Sequence, residues 1–282
     1  KIVILTLVCM MLSLASFAQT NKRPDSYNYN RAVEAIQNKN VEEALDYLKK
    51  EISDAPKNGY AYSWLAYVRE YQGEYGQALS AADKAVKYIP SKDSEYFIFA
   101  LSVRARTYHA LEEDAKALED YARAIKAAPE NPKLYEERAQ ILFEQKEFDL
   151  ASKDYNKMIE IDEGNVMGYM GLGRNAKAKK EYNDAIEKFS YVIKLSPTYS
   201  SGYSFRASAF IEMKKYKEAI DDIVTALDID DDTKAFYLMQ DVADSAFIQL
   251  STKLKIQASS NPNNSHWPYY LGMVYDNSSV KI

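Results

Sequence analysis

The side chains able to carry covalent or acid–base chemistry are few in this chain. It has two histidines, His109 and His266, and one cysteine, Cys9. A nucleophilic Cys–His pair needs a thiolate beside an imidazole, and a zinc site of the usual composition needs several such ligands close together. Cys9 lies in an N-terminal apolar run, so the rest of the chain offers neither. No Gly-x-Ser-x-Gly elbow and no His-Glu-x-x-His pair occurs. Gly168, Gly171 and Gly173 have a spacing near that of a dinucleotide-binding loop, but they lie inside a helical period with no strand before them. The acidic cluster Asp228, Asp230, Asp231 and Asp232 is similar in composition to a calcium loop. Thr233 stands where the turning glycine is needed, however, and Met239 where the bidentate glutamate belongs, so a solvated helix end is the reading. No catalytic residue, metal ligand or cofactor is expected.

Bulk properties narrow the class further. The 282 residues include 36 basic and 41 acidic ones, a net charge of −5, without the basic stripe a general nucleic-acid binder needs to neutralise phosphates. The 24 tyrosines are the one excess, and a helical array uses them as large packing residues with a polar tip.

The elements that hold these side chains are written most clearly in Tyr169–Pro197. Leu172, Tyr182, Phe189 and Val192 recur at helical steps and line the faces that a helix pair buries. Gly173 and Ala185 are small where two antiparallel helices cross closely, and Pro197 stops the second helix. The alanine then recurs: Ala44, Ala78, Ala117, Ala151, Ala185 and Ala219 are 34, 39, 34, 34 and 34 residues apart. Pro56, Pro90, Pro129 and Pro197 each lie twelve residues after their alanine. This period and spacing resemble the tetratricopeptide repeat family over roughly residues 25 to 275. The resemblance implies an all-α, right-handed α-solenoid of stacked helix-turn-helix units.

In chain order, residues 1–18 read as a secretory signal peptide: Lys1 supplies a basic start, Ile2 to Ala15 an apolar run, and Ser16-Phe17-Ala18 the small residues before a cut. An uncleaved membrane anchor is the alternative. The ending Phe-Ala-Gln looks like that of exported proteins of Gram-negative bacteria, which places the protein in the periplasm. Residues 19–24 form a polar, flexible lead-in, and residues 25–231 hold six units. The first is the least typical, with Arg31 and Ala32 in place of Leu-Gly, and suits a cap. The third carries five extra residues between Pro90 and Val103, read as a first helix lengthened by about a turn, with its N-cap at Ser91 or Asp93. Residues 232–264 read as a degenerate seventh unit, and 265–282 as the first helix of an incomplete eighth.

The resemblance also implies a concave groove lined by the first helix of each unit. Carried over by register, the second unit presents Tyr60, Ser63, Trp64, Tyr67, Glu70 and Tyr71, and the third Ser102, Arg106 and His109. The fourth presents Lys133, Glu136, Gln140 and Phe143, the fifth Met170, Arg174 and Lys177, and the sixth Ser204, Phe205 and Ser208. Trp64, Tyr67 and Tyr71 share a helix face and suit an apolar or peptide partner, unless they pack against the first unit. Arg106 and Arg174 suit a carboxylate, unless they are ordinary surface arginines. The carboxylate clamp of chaperone-binding members is absent: Tyr29 and Val33, or Ser63 and Tyr67, occupy its first pair of positions, and Trp64 or Val103 the next. In the last helix Trp267, Tyr270, Leu271, Val274 and Tyr275 form a candidate interface, an apolar face expected to be uncovered. The leading expectation is a non-enzymatic protein- or peptide-binding scaffold of the cell envelope. A spacer or homodimer joined through the last helix is one alternative, and the recognition portion of a longer enzyme or sensor another.

Overall fold

The computed structural model describes residues 24–230 and 232–277; the leader read at residues 1–18 lies outside them. Among the described residues there are 15 helices and no strand. They fall into two compact units that divide at Leu134 and Tyr135. The first unit contains α1 (Tyr27–Gln37), α2 (Val41–Asp54), α3 (Gly59–Tyr71), α4 (Tyr75–Tyr88), α5 (Ser94–Ala110) and α6 (Asp114–Ala127). Then follow α7 (Pro132–Glu144), which begins at the division, α8 (Phe148–Ile161), α9 (Val166–Ala178), α10 (Tyr182–Leu195), α11 (Ser200–Glu212) and α12 (Tyr216–Ile229). The second unit ends with α13 (Thr233–Ala243), α14 (Phe247–Ser260) and α15 (His266–Asn277).

Several first helices are started by a side-chain cap. Ser26, Asn58 and Asn165 accept hydrogen bonds from backbone N–H groups in the first turns of α1, α3 and α9. In the first six helix pairs, though not in α13–α14, the turn ends the first helix with a residue in the left-handed region: Lys39, Gly73, Glu112, Lys146, Lys180 and Lys214. Each such residue precedes by five the alanine that marks the second helix. The next residue's N–H reaches back to the carbonyl five residues earlier, as in Glu147 to Leu142 and Glu181 to Ala176, both at 2.8 Å. That double closure satisfies helix-end carbonyls and turns the chain sharply enough for an antiparallel hairpin. Only one of the six positions is glycine, which is why the regularity is hard to see in the sequence.

Between the paired helices the six marker alanines are completely buried. Three hairpins are also closed by a forked ion pair. Arg104 holds Asp120 at 2.7 and 2.7 Å, Arg138 holds Asp154 at 2.8 and 2.6 Å, and Arg206 holds Asp222 at 2.8 and 2.7 Å. The arginine takes the leucine place of the Leu-Gly signature, and the aspartate comes three residues after the marker alanine. Both oxygens of each aspartate face the fixed guanidinium fork, so the buried charge is matched in geometry as well as sign.

Helix α5 is 17 residues long against 13 for α3, and the added turn serves the first unit's core. It brings Tyr96 over the ring of Tyr60, while Phe99, in the ordinary register of the helix, meets Trp64. Asp93 precedes the helix but makes no side-chain cap bond; its carboxylate accepts the Tyr60 hydroxyl at 2.6 Å instead.

Candidate functional site

The groove register of the first unit is divided between core and surface. Trp64 is buried: its Nε1 donates to the Tyr29 hydroxyl at 3.2 Å, and its ring lies 4.9 Å from that of Phe99. Packing against the first helix is thus the reading the geometry takes, and Trp64 does not face a partner. Tyr67 follows it into the interior at 6% exposure. Burial pushes its hydroxyl up to about 12, against a smaller opposite pull from Arg106, and the hydroxyl oxygen has no hydrogen-bond partner. Ser63 and Ser102 are buried as well. Tyr60 is half-buried, while Tyr71, one turn beyond Tyr67, is 57% exposed.

Arg106 is not an open receptor for a carboxylate, because Glu70 of α3 already occupies its fork at 2.7 and 2.9 Å. His109, half-buried, sits 2.7 Å from Asp114 through Nδ1, which ties the end of α5 to the start of α6. These two interactions bind first helix to first helix and hairpin arm to hairpin arm. They fix the surface on which Tyr71 stands.

In the second unit Met170 is a core residue at 3% exposure, packed with Phe189 and Val192, and is unavailable to a partner. Ser204 and Ser208 are likewise buried. Gln140, Phe143, Arg174, Lys177 and Phe205 are partly exposed. The Arg174 guanidinium lies 4.7 Å over the Phe143 ring and donates one long hydrogen bond, 3.3 Å, to Gln140 Oε1. Phe205 packs against Phe189, with ring centroids 5.6 Å apart, and carries the Lys234 ammonium 4.4 Å over its ring. Lys234 was not among the expected residues. The repeat pattern fades from Asp232 onward, so its register could not be counted forward, although it stands one 34-residue step after Ser200.

The apolar face expected to be uncovered on α15 is covered by the chain itself. Trp267, at 1% exposure, with Tyr270 and Val274, is buried in a core shared with α13 and α14. Leu271 packs at the edge of that core, and Tyr275 meets the Phe247 ring at 5.3 Å. The degenerate pair α13–α14 supplies enough apolar side chains, among them Leu238, Met239, Leu250 and Leu254, to do this. The exposed aromatic of α15 is Tyr269, which the sequence had not singled out.

The residues that had suggested cofactor chemistry have structural duties. Gly171 of α9 lies against the Tyr155 ring of α8, where a Cβ would come within 2.3 Å of it, and Gly173 against the Phe189 ring. Asp232 caps α13 through the Ala235 N–H at 2.7 Å, and Asp230 accepts from Ser200. No helix among the described residues is long and apolar enough to cross a membrane.

Stacked antiparallel helix pairs with packing alanines inside and a mixed polar and aromatic row on the first helices define a helical-repeat interaction protein. The chain belongs to the tetratricopeptide repeat family: models of that repeat match residues 27–93 and 103–166, and residues 200–233. Among solved structures it is similar to the C-terminal part of a TPR repeat-containing protein from Cytophaga hutchinsonii, with a TM-score of 0.67 and 17% identity, over 86% of this chain and 99% of that one. It is also similar to a tetratricopeptide repeat protein from Parabacteroides merdae, with a TM-score of 0.64 and 22% identity, over 89% and 100%. A DnaJ homolog subfamily C member 7 homolog of Schizosaccharomyces pombe is 21% identical over 85% of this chain, which spans half of that relative's length. The all-α solenoid class expected from the sequence is the class of these neighbours. Such repeats are generally non-enzymatic scaffolds that bind protein partners, and no enzymatic family is indicated.

Proposed function

We propose that this chain is an exported, non-enzymatic module of the bacterial cell envelope that holds a protein or peptide partner on the first-helix faces of its units. The observation that supports this most directly is the division along those helices. Small residues at the packing positions, such as Ala66, Ala105, Ala139, Gly173 and Ala207, fill the hairpins. The cores close without Tyr71, Gln140, Arg174 or Lys177, which remain at the surface or at its edge, while Phe205 packs on the core with one edge open. Side chains that cost solvation and are not used for packing are available for recognition. The leader-like sequence of residues 1–18 supports export. The homodimer reading loses most of its support, since Trp267, Tyr270 and Val274 are core.

The test is affinity capture from an envelope extract, with the wild-type chain beside a Tyr71→Ala, Arg174→Ala double variant of unchanged helicity. A partner retained by the first and lost by the second is the expected result. If wild type retains nothing above an unrelated helical-repeat control, the module reading is overturned.

A further inference from the structure

We propose that Arg174, Lys177 and Lys234, flanked by the rings of Phe143 and Phe205, form a carboxylate-binding site in the second unit that takes an acidic peptide segment of a partner protein. This rests on the reading of the chain as a partner-binding module and names the chemistry of one of its surfaces.

The argument begins with a charge that the chain leaves unmatched. Of the described arginines, Arg31, Arg69, Arg104, Arg106, Arg123, Arg138 and Arg206 each hold a carboxylate. Arg174 holds none, and its single hydrogen bond goes to a neutral amide. Neither Lys177 nor Lys234 forms an ion pair among the described residues. In a chain with more acidic than basic residues, three unpaired cations on one surface call for a physical reason.

They are also brought together. Lys234, at the start of α13, lies with its ammonium 4.4 Å over the Phe205 ring of α11, and the charges of Lys177 and Arg174 of α9 act on it. Burial first and then the Lys177 charge lower the Lys234 ammonium from its ordinary range; Asp232 pulls the other way, Arg174 adds a smaller push, and Asp241 a smaller pull back. Asp232 is committed to the α13 N-terminus and to Ser204, so its charge is shared with backbone donors. An incoming carboxylate would relieve the repulsion among the three cations and meet a planar guanidinium that accepts two oxygens at once.

The rings decide the kind of ligand. Phe143 lies under the guanidinium and Phe205 under the ammonium, so each cation is already seated on an aromatic face at the edge of an apolar wall. A small inorganic anion would use the charges alone. A peptide with acidic side chains between apolar ones would use both the charges and the walls.

The experiment measures binding of a dye-labelled, end-capped peptide of alternating glutamate and leucine by fluorescence anisotropy, beside the same peptide with glutamine for every glutamate. It uses the whole chain, the variants Arg174→Ala, Arg174→Gln and Lys234→Ala, and Lys217→Ala at an exposed lysine as control. Expected are saturable binding of the acidic peptide, at least tenfold weaker binding of the glutamine peptide, and a tenfold or greater loss in the Arg174 and Lys234 variants. Lys217→Ala should stay within twofold, and circular dichroism should show all variants folded. Equal binding of the two peptides, or binding unaffected by Arg174→Gln and Lys234→Ala, overturns the site. Inorganic phosphate that displaces the peptide at equal concentration overturns the carboxylate assignment. Failure here with successful partner capture removes only this site, whereas failure of capture removes the broader reading.

Discussion

Two neighbouring hairpins of the second unit, α7–α8 and α9–α10, close the same register with different materials. In α7–α8 the closure is ionic: Arg138 grips Asp154, and the next residue, Tyr155, is buried. In α9–α10, one period later by residue count, Leu172 replaces the arginine, Lys188 the aspartate, Gly173 the small residue Ala139 and Phe189 the tyrosine. The second hairpin needs no internal charge because the glycine lets the ring approach the opposite backbone, so dispersion and apolar burial replace the fork. The difference teaches that the repeat preserves volume and distance across the hairpin, while the chemistry that fills the volume is free to change.

The comparison is broken most severely by removing one half of the fork. Asp154→Ala strands the Arg138 guanidinium and should cost about 3 kcal/mol, the lower end for a broken buried pair because the arginine is partly exposed. Denaturant titration checks it. Adding Arg138→Leu to that variant, which copies Leu172, should recover most of the loss, and a double variant no better than the single one would mean that the two closures are not interchangeable.

Next in size is a methyl group in the α8–α9 contact. Gly171→Ala sets a Cβ 2.3 to 2.5 Å from three Tyr155 ring atoms. Overpacking of that kind costs about 1–3 kcal/mol, of which helix propensity returns about 1. A melting temperature at or above wild type would show that the ring has room to move.

The tyrosine and phenylalanine of the two hairpins differ in their response to alkali. Burial pushes the Tyr155 hydroxyl up to about 12, whereas an unfolded tyrosine ionises near 10. The native state therefore keeps its proton where the unfolded state has lost it. This contribution is whole below pH 10 and is lost as the pH rises from 10 to 12, amounting to about 1 kcal/mol at pH 11. Tyr155→Phe, which makes α8 match α10, should flatten the fall in stability between pH 10 and 12 relative to wild type. An unchanged slope would remove Tyr155 as its source.

The smallest effect lies in what the hairpins share. Lys146 and Lys180 both hold the left-handed turn, at φ 63° and 64°, a conformation that glycine adopts without a Cβ penalty. Lys146→Gly and Lys180→Gly should each stabilise by about 0.5–1 kcal/mol and by equal amounts. Unequal gains would mean that the turn depends on how the hairpin behind it is closed.

Much of this was legible beforehand. The 34-residue spacing of alanines located the hairpins, and the five residues before Val103 announced the longer α5. The forks are half visible: Arg31-Ala32 and Arg138-Ala139 both depart from Leu-Gly, but nothing local links Arg138 to Asp154, since a pair sixteen residues apart becomes a contact only across a hairpin. The left-handed turns were hidden because lysine and glutamate occupy positions where glycine would have been the signal.

For the candidate site, residue type and register nominated Trp64, Tyr67, Arg106 and Met170 alongside Tyr71 and Arg174, and could not rank them. A first-helix position can face a partner or a neighbouring helix, and the choice depends on what that neighbour brings. Phe99 of α5 reaches Trp64, and Glu70 is near enough to occupy Arg106. The same holds for α15, whose apolar face would have been open without α13 and α14 to meet it.

The sequence by itself determined the period, the helix pairs and the poverty of catalytic groups, because these depend on local spacing and on residue type. Only the tertiary structure decided which side chains remain for recognition. Burial and charge pairing are properties of neighbours far apart in the chain, and Arg106 and Arg174, alike in register and type, differ only in that Glu70 reaches one and no carboxylate reaches the other.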